Sequence, residues 1–148
     1  TLIHLAAHGV LHPKAEYSFI ALAENNGIGA LRVSEISNPN TVQFNEDAIM
    51  VMLSACDTAV ALDINNMSGS EYITLASGFQ KQVPTVVATL WPLADASAPI
   101  IVENFYKGVK ANKSRDIALQ DAVNILIDDK RFSNPFFWAP FIMMGDWR

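Results

Sequence analysis

The chain has 148 residues, a formal net charge of −5 and 51% apolar residues, which exclude a disordered chain and allow one domain with a real core. It has no basic run that would bind nucleic acid and no apolar stretch of the roughly 18 residues that cross a bilayer. A single cysteine excludes an internal disulfide framework and fits a reducing compartment, so we expect a cytoplasmic protein without a direct nucleic-acid or membrane partner.

The residue pattern in the first third of the chain predicts a strand followed by a hairpin. Residues Leu2 to Ala7 are apolar apart from one histidine and predict a buried strand, which His8 ends and Gly9 allows to turn sharply. Two further apolar runs, 18–23 and 28–33, are separated by strong turn residues and predict the arms of a hairpin. Because the chain opens without methionine on a strand-like run, we expect it to be the C-terminal part of a larger protein.

The clearest buried strand covers residues 48–53 and leads directly to Cys56. The run is too short for a typical helix and its apolar residues do not alternate with polar ones, which indicates a strand buried on both faces. Ligands of open α/β sheets bind beyond the carboxyl ends of the strands. The only thiol of the chain therefore lies where a catalytic nucleophile is expected.

The second half of the chain alternates helices with strands. A helix that begins near Ser70 and ends at Pro84 precedes a β-branched strand over residues 85–91. Asp95 and Ser114 are expected to cap the next two helices, whose apolar residues recur at helical spacing. Together with a final apolar run over residues 136–144, this order indicates an α/β fold with a mostly parallel sheet and helices on both of its faces.

His8 and Cys56 form the most promising pair for chemistry. If their two strands are parallel neighbours, both side chains lie at one edge of the sheet. A free thiol has a pKa of about 8.5 and is mostly protonated at neutral pH, so a nearby imidazole would generate the reactive thiolate. His8 would then protonate the leaving amine, and the backbone N–H groups of Gly9 and Cys56 would stabilise the oxyanion of an acyl-transfer intermediate.

The same residues allow other interpretations. In the alternative interpretation, Cys56 is an inert buried thiol, which is common, and His8 is a hydrogen-bonded core histidine. His4, His8 and His12 recur every four residues and would bind zinc on a helix, but Gly9 interrupts the segment and a strand would not bring them together. Trp91 would simply pack in the core or in a lid.

Several motifs of the chain resemble those of CHAT domains, which are caspase-like domains related to separase. The resemblance covers nearly the whole sequence. Its motifs occur in the family's order: Ala7-His8-Gly9, Leu53 to Thr58, Val86 to Pro92 with Asp95, Phe105-Tyr106, Ala118-Leu119, Pro135 with Trp138-Ala139 and Phe141, and Gly145 to Trp147. The blocks that surround Cys56 and Trp91 are the most specific of them.

The resemblance implies a caspase-like α/β/α sandwich and a cysteine endopeptidase that needs no metal or cofactor. His8 matches the family's catalytic histidine and Cys56 its nucleophile, 48 residues apart where caspases have about 50. Gly9 matches the glycine beside the oxyanion hole. Asp57, Trp91 and Asp95 match positions near the substrate cleft.

The resemblance also implies a protein context. CHAT domains usually occur in bacteria and follow tetratricopeptide repeats, so we expect such repeats in the full protein and a protein or peptide as the substrate. Residues 1–148 would form a single CHAT domain without the first strands of the caspase-like fold. Ala7 stands where the family usually has threonine and Ala59 where glycine is common, which affects the shape of the cleft and leaves the two catalytic residues intact.

The alternative is a catalytically silent CHAT-fold module for protein interaction or signalling, since the sequence shows no substrate pocket with a decisive charge. Residues 59–69 follow Cys56 directly and have the polar composition of a loop. We expect this loop to be able to close the site until a partner moves it.

Overall fold

The computed structural model describes residues 1–10, 12, 14–24, 27–54 and 75–148. The strands in these residues are β1 (Leu2–Leu5), β2 (His8–Val10), β3 (Phe19–Glu24), β4 (Gly27–Arg32), β5 (Met50–Leu53), β6 (Thr85–Thr89) and β7 (Phe141–Gly145). The helices are α1 (Val33–Ile36), α2 (Leu75–Gln80), α3 (Ala98–Lys110) and α4 (Arg115–Asp128). Single 3₁₀ turns occur at Ala15–Tyr17 and Pro135–Phe137.

The strands form two sheets. The larger sheet has the strand order β1-β5-β6-β7, in which β1, β5 and β6 are parallel and β7 is antiparallel to β6. The smaller sheet has the order β2-β3-β4 and is antiparallel throughout. The predicted hairpin is confirmed as β3 and β4, while β2 joins it as a third strand that the sequence did not indicate.

The larger sheet is packed on both faces, which confirms the predicted α/β sandwich. All four residues of β5 are buried, and their side chains alternate between two hydrophobic cores. Val51 and Leu53 pack in the core that α1, α2 and the smaller sheet cover. Met50 and Met52 pack in the core that α3 and α4 cover. The arrangement is compatible with a caspase-like fold.

The prediction that the first strand is buried is wrong. In the described part of the chain β1 lies at the edge of the larger sheet and pairs with β5 alone. Its residues alternate between exposed and half-buried, and the side chain of Leu2 is 38% exposed. An edge position leaves one side of a strand uncovered, and an apolar sequence by itself does not reveal that position.

The helix boundaries correct one predicted cap and confirm only the position of another, because Ser114 makes no capping hydrogen bond with its side chain. Asp95 does not cap α3, because backbone N–H groups of Ser97 and Ala98 both bond the carbonyl of Ala94 and the helix begins only at Ala98. Ser114 does occupy the residue before α4, as predicted. Among the described residues, no helix is both long and apolar enough to cross a bilayer.

Three predictions fall on undescribed residues or differ in extent. The expected loop 59–69 and the expected helix start at Ser70 lie outside the described residues, while the described part of that helix ends at Gln80, before Pro84. The final strand is confirmed but is shorter than predicted. Residues Pro135–Phe137 form a 3₁₀ turn, which the side chain of Asn134 caps by accepting the N–H of Phe136 at 2.9 Å.

Candidate active site

The carboxyl ends of β1 and β5 meet at one edge of the larger sheet. The two strands are parallel and Leu5 pairs with Leu53. The backbone N–H of Ser54 donates to the carbonyl of Leu5 at 3.1 Å and extends this pairing by one residue. His8 follows Leu5 by three residues and Cys56 follows Leu53 by three. The two strands are therefore parallel neighbours, which was the condition for His8 and Cys56 to share one edge of the sheet, while Cys56 and Asp57 lie outside the described residues.

His8 lies in a different position from the one predicted. It is the first residue of β2, where it pairs with Ala21 of β3, and it is exposed. Gly9 pairs with Ile20 in the same ladder. The chain therefore leaves the larger sheet after Leu5 and enters the smaller sheet at His8. This exposure rules out the alternative in which His8 is a core histidine.

A pocket of about 460 Å³ opens at this edge of the sheet. Its polar lining residues are His4, His8, Ser54 and Asp95. The remaining wall is apolar and comes from the connection after β1, from Leu93 and from the first turns of α3. The pocket thus brings together three residues that sequence reasoning had considered, His4, His8 and Asp95, and adds Ser54, which precedes Cys56 by two residues.

His4 connects the pocket wall to the core. Its Nε2 atom is hydrogen-bonded to the hydroxyl of Ser54, and its ring lies 5.8 Å from the ring of Tyr106 on α3. Burial lowers the pKa of His4 below its usual 6.5 and raises the pKa of Tyr106 above its usual 10.0. His4 alternates along β1 with Ile3 and Leu5, which pack on the other face, so strand periodicity was the signal for its position.

The three histidines do not converge. His4 and His8 line the pocket, whereas the Nδ1 atom of His12 accepts the backbone N–H of Lys14 at 3.0 Å. The ring of His12 meets the ring of Tyr17 edge-on at 5.3 Å. Among the described residues, no group of three potential metal ligands exists.

The two described residues that were expected near a substrate cleft have different surroundings. Asp95 lines the pocket and is exposed. Trp91 is half-buried, and its indole N–H donates to the carbonyl of Phe136 at 3.0 Å. Trp91 therefore contacts the 3₁₀ turn at Pro135–Phe137, while Asp95 has its side chain at the pocket.

Comparison with known proteins gives a consistent result. The family model of the CHAT domain matches residues 1–146. Relatives include tetratricopeptide repeat protein 28 of Homo sapiens and its namesake in Mus musculus, each 31% identical to the chain over 71 residues. These matches cover 48% of the chain and 3% of each relative, so the chain corresponds to a small fraction of their length.

Proposed function

Because the chain belongs to the CHAT domain family, we propose that it is a caspase-like cysteine endopeptidase with His8 and Cys56 as its catalytic residues. The observation that carries this proposal is the in-register parallel pairing of β1 and β5. This pairing brings His8 and Ser54 to one pocket, two residues before the only thiol of the chain. We also propose that residues 1–148 are a single CHAT domain.

The proposed reaction uses His8 twice. His8 takes the thiol proton, and the Sγ atom of Cys56 attacks the carbonyl carbon of a peptide bond to form a tetrahedral oxyanion. The C–N bond breaks as the His8 imidazolium donates its proton to the leaving amine, which leaves a thioester. Water, deprotonated by His8, attacks the thioester, releases the carboxylic acid and returns the thiol. The exposure of His8 supports this role, since its ring is accessible from the pocket.

Two backbone donors complete the proposed site. The N–H groups of Gly9 and Cys56 would stabilise the oxyanion, because fixed donors aimed at a developing charge are worth about 10²–10³-fold in rate. Gly9 lies in a paired strand directly after His8, which supports a fixed position for its backbone. We also propose that Asp57 and Trp91 border the cleft. The sole basis for this proposal is that both residues match family motif positions near the cleft.

The substrate is proposed to be a protein or peptide. The pocket is mainly apolar, and Asp95 gives it one carboxylate beside His8. A carboxylate in such a wall favours a basic side chain through a charge-assisted hydrogen bond. We propose cytoplasmic action, where a single thiol stays reduced, and attachment to tetratricopeptide-type repeats, in keeping with the names of the relatives.

Cleavage of a peptide library tests the proposal. The chain is incubated with a proteome-derived peptide library, and new termini are identified by mass spectrometry. We expect cleavage by the parent and none by Cys56→Ala or His8→Ala. His12→Ala is the matched control, because His12 is also exposed but bonds Lys14 instead of lining the pocket, and it should cleave as the parent does. Equal cleavage by Cys56→Ala would contradict the proposal.

A second candidate is a CHAT-fold interaction module without turnover. The mainly apolar wall of the pocket favours this candidate, because it would also suit an apolar side chain of a bound partner protein. The candidates differ in the reactivity of Cys56. An endopeptidase has a thiol that reacts quickly in a manner that depends on His8, whereas a silent module has a thiol whose reaction rate is the same in His8→Ala.

A further inference from the structure

The hydrogen bond between His4 and Ser54 joins the last described residue of the β5 segment to its neighbouring strand. We propose that this pair is a positioning device that fixes the chain immediately before Cys56 and so holds the thiol within reach of His8. The inference rests on the proposed function, because it assigns a purpose to the pair only if Cys56 and His8 react together.

Ser54 is held to β1 at two points. Its backbone N–H bonds the carbonyl of Leu5 at 3.1 Å, and its hydroxyl bonds the Nε2 atom of His4. Covalent geometry keeps the Cα atoms of Ser54 and Cys56 within about 7 Å of each other. Ser54 lines the same pocket as His8, so a double anchor at Ser54 limits how far from that pocket the chain can travel within two residues.

His4 is itself supported from the core. Its ring packs against Tyr106 at 5.8 Å, and the ring of Tyr106 packs against Phe105 at 5.5 Å with an interplanar angle of 62°. Phe105 is fully buried between α3 and the sheet. The His4 ring therefore rests on a rigid stack, which suits a residue that orients another one.

The charge state of His4 allows its Nε2 atom to accept a hydrogen bond from Ser54. Burial lowers its pKa, so the imidazole is neutral at neutral pH and its Nε2 atom can accept the Ser54 hydroxyl proton. Loss of this bond would free the hydroxyl and loosen the second anchor, while the backbone bond to Leu5 would remain. A misplacement of about 1 Å can cost about 100-fold in rate, so removal of the pair should be visible in the reactivity of the thiol.

Alkylation of Cys56 by iodoacetamide between pH 5.5 and 9 provides the test, because the reaction labels the single cysteine of the chain and follows its thiolate fraction. In Ser54→Ala and His4→Leu we expect the pH profile to move upward by about one unit, and the rate at pH 6.5 to fall about tenfold. His4→Gln keeps a hydrogen-bonding group at the reach of Nε2 and should recover most of the rate.

Two further variants separate positioning from general stability. The double variant His4→Leu, Ser54→Ala should react as slowly as either single variant, since both remove one and the same bond. Tyr106→Phe is the matched control, because it keeps the stacked ring, and among the described residues its hydroxyl has no hydrogen-bond partner. It should leave the profile unchanged.

His8→Ala distinguishes failure of this inference from failure of the proposed function. The pH profile of alkylation could move in His8→Ala but stay in place in Ser54→Ala and His4→Leu. That result would overturn the positioning role and leave the proposed endopeptidase activity standing. A profile that His8→Ala leaves in place would remove the proposed function, and the inference with it. Lower melting temperatures in Ser54→Ala and His4→Leu with unmoved profiles would show that the pair contributes to folding alone.

Discussion

The two ends of the larger sheet are built from opposite kinds of contacts. At the amino end of β6, the Arg115 side chain is 13% exposed and donates to the Thr85 hydroxyl and to the carbonyl of Asp146, both at 3.2 Å. Thr85 is itself fully buried and donates to the same carbonyl. At the carboxyl ends of β1 and β5, the pocket instead exposes His8 and Asp95. The polar groups of the first region bond one another, and those of the second are exposed at a pocket.

This difference separates stability from function within one sheet. Hydrogen bonds among Arg115, Thr85 and Asp146 hold the C-terminal segment against β6. Exposed groups in a mainly apolar pocket contribute little to folding and are available for chemistry. Substitutions at the two ends should therefore have separable effects, and the following predictions run from the largest expected effect to the smallest.

Gly145→Val should destabilise the protein most. Gly145 has a φ of +93°, which side-chain-bearing residues rarely adopt, and an added Cβ would overlap the carbonyl oxygen of Pro84. We expect a loss of about 3 kcal/mol or more in the free energy of unfolding, measured with urea. Gly78→Ala is the control, because Gly78 lies in α2 with ordinary helical geometry, and its change should stay within about 1 kcal/mol.

Arg115→Met should be the next largest effect. The substitution keeps most of the apolar stem but removes the bonds to Thr85 and Asp146, so we expect a loss of about 2 kcal/mol by urea denaturation. Arg131→Met is the matched control, because the Arg131 side chain is 73% exposed and pairs with Asp129 on the surface. Its loss should be below about 1 kcal/mol. If the two variants lost equal free energy of unfolding, the contacts of Arg115 at the amino end of β6 would contribute no more to stability than a surface ion pair.

Asp95→Asn should change substrate choice and leave stability alone. Asp95 is exposed, so the free energy of unfolding should move by less than about 0.5 kcal/mol. Cleavage next to a basic residue should fall about tenfold through the loss of one charge-assisted contact, while cleavage next to uncharged residues should persist. The ratio of the two cleavage rates is measured with paired synthetic peptides, and an unchanged ratio would remove Asp95 from the specificity pocket.

The smallest effect should be a pH dependence that comes from His4. Its pKa in the folded state lies below the usual 6.5, because burial disfavours the charged ring. The unfolded chain therefore binds the proton more readily, and stability should be full above pH 6.5 and fall as the pH drops toward the folded pKa. Urea denaturation of the parent and of His4→Gln between pH 7.5 and 5.5 tests this, and parallel curves would contradict it.

Sequence patterns predicted the central features of the fold for clear physical reasons. The unbroken apolar run of β5 and the β-branched run of β6 are typical of strands covered on both faces, and both are buried throughout. The same reasoning failed for β1, since an edge strand can be as apolar as a central one. It also missed the entry of His8 into the smaller sheet, because that step depends on pairing with β3, and the three residues of β2 carry no strand pattern of their own.

The candidate site was predicted in part. Spacing and parallel order led to the correct sheet edge for His8. Asp95 was expected near the cleft only through the family resemblance, and the cap of α3 that its sequence position suggested is absent although it lines the pocket. Ser54 received no role, because a serine before a cysteine carries no signal of its own. Its contact with His4 arises from the register of β1 against β5, which no local pattern specifies.

Covalent labelling by peptidyl electrophiles tests the central claim most directly. The parent, His8→Ala and His12→Ala are each incubated with a panel of peptidyl chloromethyl ketones that differ in one side chain, and the adduct is located by mass spectrometry. The account predicts an adduct on Cys56 in the parent and in His12→Ala, formed fastest with a basic side chain, and its loss in His8→Ala. An adduct that forms equally in His8→Ala, or no adduct in the parent, would contradict a working pair of His8 and Cys56.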